Sequence, residues 1–411
     1  MRLHRARSRA IFFGWYIVGA SFVLMLMYGF FLTYGFAVFF PVILDEFGWS
    51  KAETSLAYGI LAVEAGAMSP VYGWLVHRFG TRGPLMAGTV VGGAGLLILS
   101  QMNSLPVFYA GFLLAGLGLA AYYTAPIAAI ANWFRVRRAQ AMGMCLAGFA
   151  VAALLIPVLR WLVEGFGWRA VLAAGGIASF CVCLPVCLLL RHRPEPYGLA
   201  VDGGGEVAPE VAEDLRPEVS ARQALRTPVY WLICAVYTTA FLSLSGMLPH
   251  LLQFYREVGI PGDLAAFSFS GYAVASLIGR IGGGYLSDRI DKRRIIAASH
   301  LAIGLGTIGI AYTSEPWHLL YFSLFVGIGY AIAAPAIPAL ISDVFGTRSF
   351  ALLYGLSILP ATLFWMIAPG FAGWVSDHFG TYQLVFAGMG WVTLLATPLA
   401  LLIRTPKLSG H

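Results

Sequence analysis

The sequence predicts an all-α membrane protein with twelve transmembrane helices. Of its 411 residues, 59% are hydrophobic and only 11% are charged, whereas soluble domains carry about 25% charged residues. A helix that spans the bilayer needs about 20 apolar residues, and with short loops each span takes about 30. The chain therefore has room for twelve helices and one longer connection, and its composition excludes a water-soluble protein.

Twelve apolar stretches follow one another along the chain. The helices, named α1 to α12, are predicted near residues 12–40, 52–76, 83–101, 105–134, 138–161, 168–190, 227–255, 262–286, 294–313, 317–343, 349–375 and 380–403. The first stretch is too long for the core of a signal peptide and contains no small-residue cleavage site, so we interpret it as a membrane span.

One long polar segment separates α6 from α7. It contains the run Gly203-Gly204-Gly205 and seven acidic residues. We therefore expect an N-terminal six-helix bundle at residues 1–190, a cytoplasmic linker at 191–226 and a C-terminal six-helix bundle at 227–411.

Lys and Arg are distributed unequally over the loops. The N-terminal tail, the even-numbered loops and the C-terminal tail carry 21 of the 26, and the odd-numbered loops carry four. The positive-inside rule then predicts that both termini lie in the cytoplasm. We expect the protein to be a multi-pass protein of the inner (plasma) membrane. The net charge of +7 is explained by this orientation, and no nucleic-acid partner is expected.

The sequence lacks the motifs that are typical of enzymes and of nucleotide-binding proteins. The sequence contains no Walker A, HExxH or Gly-x-Ser-x-Gly motif, so we expect no enzyme, no metal and no cofactor. Five cysteines lie within apolar stretches, and their spacing indicates neither a disulfide framework nor a zinc site. We interpret them as small apolar side chains.

A local pattern recurs in the two predicted bundles. Gly73-Trp-Leu-Val-His77-Arg78 follows α2, and Gly284-Tyr-Leu-Ser-Asp288-Arg289 with trailing basic residues follows α8, six helices later. Weaker copies follow α5 and α11. An interval of three helices indicates inverted repeats nested within two parallel halves that rock around a site at the membrane midplane.

The copy at residues 284–294 resembles the cytoplasmic signature loop of the major facilitator superfamily. The resemblance implies the major facilitator fold, with two pseudo-symmetric six-helix bundles. An acid at a helix end can hold neighbouring helix ends and basic loops together while the cytoplasmic side is closed, so we predict a gating role for Arg78, Asp288 and Arg289. The first copy departs from the pattern, with His77 where the acid is expected.

Three further segments narrow the resemblance. Asn132-Trp-Phe134 with Arg137-Arg138 precedes α5, Arg226-Thr227-Pro228 opens α7, and Phe13-Gly14-Trp15-Tyr16 opens α1. Together they resemble the branch that holds the monocarboxylate transporters and the bacterial oxalate/formate antiporters. The similarity is greatest to bacterial L-lactate transporters of the monocarboxylate family.

By the predicted boundaries, only Glu64 in α2 and Arg280 in α8 place a charge well inside the membrane. Burying one charge there costs about 2.5 to 3.5 kcal/mol, which indicates a function. The planar fork of arginine fits a carboxylate, and Ser276, one turn earlier, shares its face. We predict that Arg280 binds an anionic substrate; the alternative is an ion pair with Glu64. For Glu64, such a pair or a neutral, protonated acid is favoured over proton coupling.

The resemblance also separates the substrates. Both the monocarboxylate and the oxalate carriers keep an arginine at this place in α8, but the oxalate carriers add a lysine in α11, where this chain has Leu359-Pro-Ala-Thr362. A single cation favours a monoanion. The proton route of the animal transporters cannot be transferred, because Ser276 and Pro41 replace an aspartate and a lysine used there.

The remaining candidate site residues are chosen because their positions along the helices place them at the depth of a central cavity. His250, in the outer part of α7, is predicted to face a central cavity, where it could carry a proton, bind a substrate hydroxyl or serve only in packing. The other predicted lining residues, which could equally be helix packing, are Tyr28, Leu119, Tyr123, Cys145, Tyr330, Leu359 and Thr362. A small, mostly apolar pocket with one cation suits a short hydroxy- or keto-acid.

The predicted function is therefore proton-coupled symport of a short monocarboxylate, such as L-lactate or pyruvate, by alternating access. A monoanion that moves with one proton transfers no net charge, so a pH gradient can drive it. The expected partners are the carboxylate, protons and the lipid bilayer, and the expected state is a monomer. An organic-anion antiporter of the oxalate/formate type is the first alternative, and an efflux carrier for lipophilic compounds is the second.

Overall fold

The computed structural model describes residues 12–49, 51–203 and 219–403. Within these ranges the chain forms twelve long helical segments and no β-strand, at the predicted places. The helices are Phe13–Tyr28, Gly29–Thr33 and Phe36–Phe47 (α1), Lys51–Phe79 (α2), Arg82–Ser100 (α3), Leu105–Leu119 and Ala121–Trp133 (α4), Arg138–Leu154 and Ile156–Phe166 (α5), Trp168–Ala178, Ser179–Cys183 and Leu184–Leu189 (α6), Pro228–Met247, Leu248–His250 and Leu251–Glu257 (α7), Gly262–Ser287 (α8), Lys292–Ala311 (α9), Pro316–His318, Tyr321–Val326 and Gly327–Phe345 (α10), Phe350–Phe379 (α11) and Gln383–Leu402 (α12).

The predicted terminal tails and the acidic middle of the linker lie outside the described residues. The part of the linker that is described contains a short helix, Ala221–Leu225, which begins with a capping box between Ser220 and Gln223. The hydroxyl of Thr227 then accepts a hydrogen bond from the Tyr230 N–H at 3.4 Å. Pro228 at the first turn of α7 has no N–H to leave unpaired, so this sequence starts a helix.

A repeated Phe-Gly pair ends four of the helices. Gly80, Gly167, Gly346 and Gly380 follow α2, α5, α10 and α11 with φ angles of +75°, +79°, +79° and +69°. Only glycine adopts positive φ without steric penalty, so each pair stops its helix and lets the chain turn back across the membrane.

Most of the helices can cross a bilayer by length and composition. Among the described residues, nine pass that test, and α5 passes as a tenth span when its two parts, bent by 48°, are taken together. The remaining two, α2 and α8, are rich in small and polar residues and carry Glu64 and Arg280. Their lower hydropathy fits helices that face other helices rather than lipid.

The two halves of the chain meet closely on one side of the membrane. We call this the terminal side, because α1 begins and α12 ends there. A methyl group at Gly284 of α8 would lie 2.5 Å from the Ala139 carbonyl oxygen of α5, and one at Gly355 of α11 would lie 2.5 Å from the Ser69 carbonyl oxygen of α2. Backbone packs directly on backbone at both places.

The described apolar core consists of two clusters of buried residues. One large cluster of buried residues joins the N-terminal half to the terminal-side portions of α7, α9, α10 and α11. A second cluster, which includes Leu244, Phe254 and Phe386, belongs to the C-terminal half alone and lies toward the opposite side. Among the side chains that the structure describes, the core shared by the two halves lies near the terminal side.

Candidate substrate site

A cavity of about 240 Å³ lies between the two halves. Its walls come from α1, α2, α4 and α5 in the first half and from α7, α8, α10 and α11 in the second, and the described lining includes no residue of α3, α6, α9 or α12. Five of the predicted site residues line it: Tyr28, Tyr123, Arg280, Tyr330 and Thr362. Residues distant in the sequence are thus brought to one place.

Arg280 is the one cation among the described lining residues. Only 7% of its surface is exposed, and its Nε donates a hydrogen bond to the Ser276 hydroxyl at 3.3 Å. Ser276 is buried and lies one turn earlier on α8, behind the guanidinium. It therefore orients the arginine and does not itself line the cavity.

Glu64 does not neutralise Arg280. Both of its carboxyl oxygens are buried without a hydrogen-bond partner among the described residues. The carboxyl group points at α4, where a methyl group at Gly116 would overlap Glu64 Oε2 and lie 2.9 Å from the Leu61 side chain. The predicted alternative of a Glu64–Arg280 ion pair is therefore wrong. Glycine at position 116 lets the acid take this position without displacement.

Tyrosine hydroxyls supply most of the polarity of the cavity. Besides the predicted Tyr28, Tyr123 and Tyr330, the wall contains three tyrosines that the sequence analysis missed: Tyr34, Tyr237 and Tyr272. Tyr272 lies two turns before Arg280 on the same face of α8, so helical periodicity could have identified it. Tyr34 follows the π-helical turn Gly29–Thr33, which rotates the chain in a way that a regular helix pattern does not predict.

Aromatic rings close the other walls. The Phe241 ring centroid lies 5.5 Å from that of Tyr330 and 5.4 Å from that of Trp365, and Phe149 contacts both Tyr28 and Tyr123. Three of these contacts are edge-to-face and that of Phe241 with Trp365 is tilted; edge-to-face arrangements are favourable for aromatic pairs. The cavity is thus a mostly apolar chamber with one fixed positive charge.

Three predicted lining residues lie elsewhere. Leu119 packs against Gly92 of α3, Cys145 is fully buried, and Leu359 lies outside the described lining. Depth in the membrane sets the height of a residue but not the direction in which it points. A residue one position along a helix is rotated by about 100°, and Ala120 and Ile358, the neighbours of Leu119 and Leu359, line the cavity instead.

His250 is also displaced from the predicted position. It ends a 3₁₀ turn in α7, and its Nδ1 lies 3.3 Å from the hydroxyl of Tyr382, the residue before α12. The imidazole and phenol rings are 5.2 Å apart, and Gly373 of α11 lies beside the imidazole. The histidine therefore occupies a helix interface in the C-terminal half rather than the described wall of the cavity.

A network of polar contacts closes the terminal side below the cavity. The Asp288 carboxylate accepts hydrogen bonds from the backbone N–H groups of Ala139 at 2.8 Å and Gln140 at 2.7 Å, at the start of α5. Burial raises the pKa of Asp288, while these two hydrogen bonds act in the opposite direction. An acid on a helix N-terminus is favourable because the first N–H groups have no partner within the helix.

Three residues outside the predicted gate complete this network. Asp343 at the end of α10 forms ion pairs with Arg138 at 2.7 Å and Lys292 at 2.9 Å, which ties α5, α9 and α10 together. Arg138 also donates to the Phe134 carbonyl. Arg138 belongs to a motif quoted from the sequence, but its partner Asp343 could be found only from the packing of α10.

The two predicted gating arginines do not join the halves among the described residues. The Arg78 guanidinium lies 5.6 Å from the ring centroids of Trp74 and Phe79 on its own helix. That of Arg289 lies 3.9 Å from the Tyr285 ring. Of the predicted three, Asp288 alone makes a contact between the halves among the described residues, and the ion pair of Arg138 with Asp343 is a further such contact.

Comparison with protein families decides the assignment. The model described as Major Facilitator Superfamily matches residues 17–258 and 251–411. The chain belongs to the major facilitator superfamily.

Individual relatives agree with this membership. The chain is 25% identical over 397 residues to monocarboxylate transporter 12 of Xenopus laevis, covering 92% of this chain and 86% of the relative. It is 28% identical over 403 residues to monocarboxylate transporter 3 of Rattus norvegicus, covering 93% and 78%. The predicted resemblance to the monocarboxylate transporters is confirmed, and these relatives are transporters rather than enzymes.

Solved structures show the same fold. The human organic anion transporter MFSD10 (TETRAN) superposes with a TM-score of 0.75 at 14% identity, covering 94% of this chain and 99% of that one. The proton:xylose symporter XylE gives a TM-score of 0.75 at 14% identity, covering 95% and 96%. The predicted major facilitator fold is confirmed.

Proposed function

We propose that this major facilitator protein is a proton-coupled symporter of a short monocarboxylate such as L-lactate or pyruvate. The observation that carries the proposal is a single, oriented arginine on the wall of a small chamber between the two halves. The names of the related monocarboxylate transporters point to the same substrate class.

The chamber favours a small monoanion. The guanidinium of Arg280 can hold a carboxylate through two parallel hydrogen bonds, and the hydroxyls of Tyr34, Tyr272 and Tyr330, which line the same cavity, can bind a hydroxyl or keto oxygen. A second carboxylate would have no cation among the described lining residues. Burying an unpaired charge is unfavourable, so a dianion should bind poorly.

Transport follows from how the halves pack. With the terminal side in the cytoplasm, as the positive-inside rule predicts, the structure corresponds to a state of a plasma-membrane transporter that is closed to the cytoplasm. Rocking of the bundles at residues 1–190 and 227–411, joined by the linker at 191–226, would part α5 from α8 and α2 from α11. The cavity would then open toward the cytoplasm, and a monomer suffices for this motion.

We assign the transported proton to Glu64 rather than His250. The Glu64 carboxyl group is buried between α2 and α4, outside the described lining of the cavity, and Leu61, one turn earlier, lines the cavity. A buried carboxyl group without a partner is cheapest to bury as the neutral acid. Conversion to the state open to the cytoplasm can hydrate the group and release its proton, whereas His250 lies away from the cavity beside Tyr382.

Uptake into proteoliposomes tests both assignments. Labelled L-lactate should accumulate when an inward proton gradient is imposed, and a protonophore should abolish this. Arg280→Gln should lose gradient-driven uptake and also exchange of lactate for lactate. Glu64→Gln should lose accumulation but keep exchange, because exchange needs substrate binding without net proton movement. Glu164→Gln, a change at an exposed acid, is the matched control and should behave as the wild type.

Two results would contradict the proposal. Normal uptake by Arg280→Gln would reduce Arg280 to a structural charge. Uptake that ignores the proton gradient and requires a carboxylate inside the vesicle would mean antiport of the oxalate/formate type.

A further inference from the structure

The first part of the linker, residues 191–203, is docked on the terminal side of the N-terminal half. The Trp133 indole at the end of α4 donates a hydrogen bond to the Arg191 carbonyl at 2.8 Å. The neighbouring Asn132 amide donates to the His192 carbonyl at 3.0 Å. We call residues 191–203 the docked linker segment.

Side-chain contacts hold the same segment against two further helices. The Arg191 guanidinium lies 4.2 Å from the ring centroid of Phe13, at the start of α1, and 3.9 Å from that of Tyr197. The His192 Nδ1 lies 3.0 Å from the hydroxyl of Thr81, the residue before α3. The docked linker segment is therefore a built part of the N-terminal half.

Near its end, the docked linker segment places an acid on the loop between α4 and α5, residues 134–137. One carboxylate oxygen of Asp202, Oδ2, accepts hydrogen bonds from the backbone N–H groups of Arg135 at 3.0 Å and Val136 at 2.8 Å. The other oxygen, Oδ1, is buried without a hydrogen-bond partner among the described residues. The carboxylate therefore acts on the loop through these two bonds.

The backbone of Asp202 is strained. Its φ and ψ angles are +58° and +10°, and it is the one non-glycine residue with positive φ in the described part of the chain. This left-handed conformation is unfavourable for a residue with a side chain. Strain of this kind persists where surrounding contacts fix it, and it is concentrated at sites that bind or switch.

The equivalent loop in the second half, between α10 and α11, is built differently. Phe345 ends α10 as Phe134 follows α4, and the next residue, Gly346, turns the chain with a φ of +79°. None of residues 134–138 has a positive φ. The second loop thus contains its own turn glycine, whereas the first is held from outside by the Asp202 carboxylate.

The same stretch of backbone also meets the C-terminal half. The Asp288 carboxylate of α8 binds the N–H groups of Ala139 and Gln140, which follow Val136 within about one helical turn. Asp202 binds this stretch from within the N-terminal half, and Asp288 binds it across the interface. The shape of the loop therefore sets where the N–H groups stand that Asp288 must reach.

We propose that Asp202 is a positioning residue for closure of the terminal side. It holds the loop before α5 in the shape that lets Asp288 bind the start of the helix. The bonds of Asp202 lie within one half and can persist when the halves part, whereas those of Asp288 must break. Because the loop is already ordered, closure does not have to order it, and the closed state is favoured.

Distances between spin labels on the purified full-length protein test this role. Labels on cysteines at Phe79 and Leu402, exposed residues of opposite halves on the terminal side, report closure in a chain whose native cysteines are replaced. Asp202→Gly removes the carboxylate and relieves the backbone strain. We expect it to shift the equilibrium about 5- to 20-fold toward the state open on the terminal side. Glu195→Gln, at an exposed acid of the same segment, is the matched control and should behave as the wild type.

A double variant separates positioning from a general loss of stability. In a chain that already carries Asp288→Asn, Asp202→Gly should add a shift of less than about twofold, whereas independent effects would multiply. Asp202→Gly alone should also speed hydrogen exchange at the Ala139 and Gln140 amides, which Asp288 protects in the wild type.

Two results would overturn the proposal. One is a distance distribution of Asp202→Gly equal to that of the wild type, as expected for a residue that serves only its own turn. The other is an effect of Asp202→Gly that is equally large with and without Asp288→Asn. The measurement uses no substrate, so its result does not depend on the symport proposal.

Discussion

Replacing Gly284 with alanine should open the terminal side. The added methyl group would lie 2.5 Å from the Ala139 carbonyl oxygen and 3.0 Å from the Gln140 Cα, and both are backbone atoms that cannot rotate away. Gly282, two residues earlier on the same helix, has nothing within 4 Å of such a methyl group. Gly282→Ala is therefore the matched control, since both substitutions gain about 1 kcal/mol of helix propensity.

The expected magnitude follows from the overlap. Relieving it requires α5 and α8 to move apart by roughly 0.5 to 1 Å, and overpacking of this kind costs about 1 to 3 kcal/mol. The penalty applies only to the state in which the two helices touch. It should therefore shift the equilibrium toward the state open on the terminal side by about 5- to 150-fold.

Distance measurements between spin labels provide the assay. Leu188 at the end of α6 and Leu402 at the end of α12 are exposed on the terminal side and belong to opposite halves. Cysteines at these two positions, in a chain whose native cysteines are replaced, carry the labels. Gly284→Ala should shift the distances between the labels to longer values, and Gly282→Ala should not. Identical distance distributions in the two variants would refute the reasoning.

Three further outcomes are expected. Asp343→Asn breaks ion pairs with both Arg138 and Lys292 and should lower the stability of the protein by about 1 to 3 kcal/mol, measured as a fall in Tm; an unchanged Tm would contradict a role in closure. Ser276→Ala removes the hydrogen bond to Arg280 and should raise the KM for L-lactate about 2- to 10-fold with little change in maximal rate, whereas a loss of rate at unchanged KM would argue against a positioning role. His192 has a pKa lowered to about 4, so the folded protein binds fewer protons there than the unfolded chain between about pH 4 and 6.5. Stability should fall as pH decreases through that range, and Tm should fall less steeply in His192→Gln; parallel curves for the two proteins would show that the docked linker does not exclude the proton.

Part of the site could be predicted from the charged residues that lie within membrane-spanning stretches, where a charge is unfavourable. Arg280 was identified because a cation inside the membrane is rarely tolerated without a use, and it lies on the cavity wall. Its support from Ser276 followed from helical spacing and is observed. Glu64 was identified by the same argument, but its neighbour Gly116 was not, because contacts between helices are not encoded in the periodicity of either one.

The sequence by itself determined the number, order and approximate bounds of the helices, because the thickness of the bilayer dictates the length of each apolar stretch. The tertiary structure alone decided which side of each helix faces the cavity. That is why Leu119 and Leu359 point elsewhere while Ala120 and Ile358 line it. It also decided the contacts on the terminal side, since Asp343 meets Arg138 only when helices from opposite halves pack together. Rotation about a helix axis and contact between bundles depend on which surfaces fit one another, and the membrane imposes no such choice on an isolated segment.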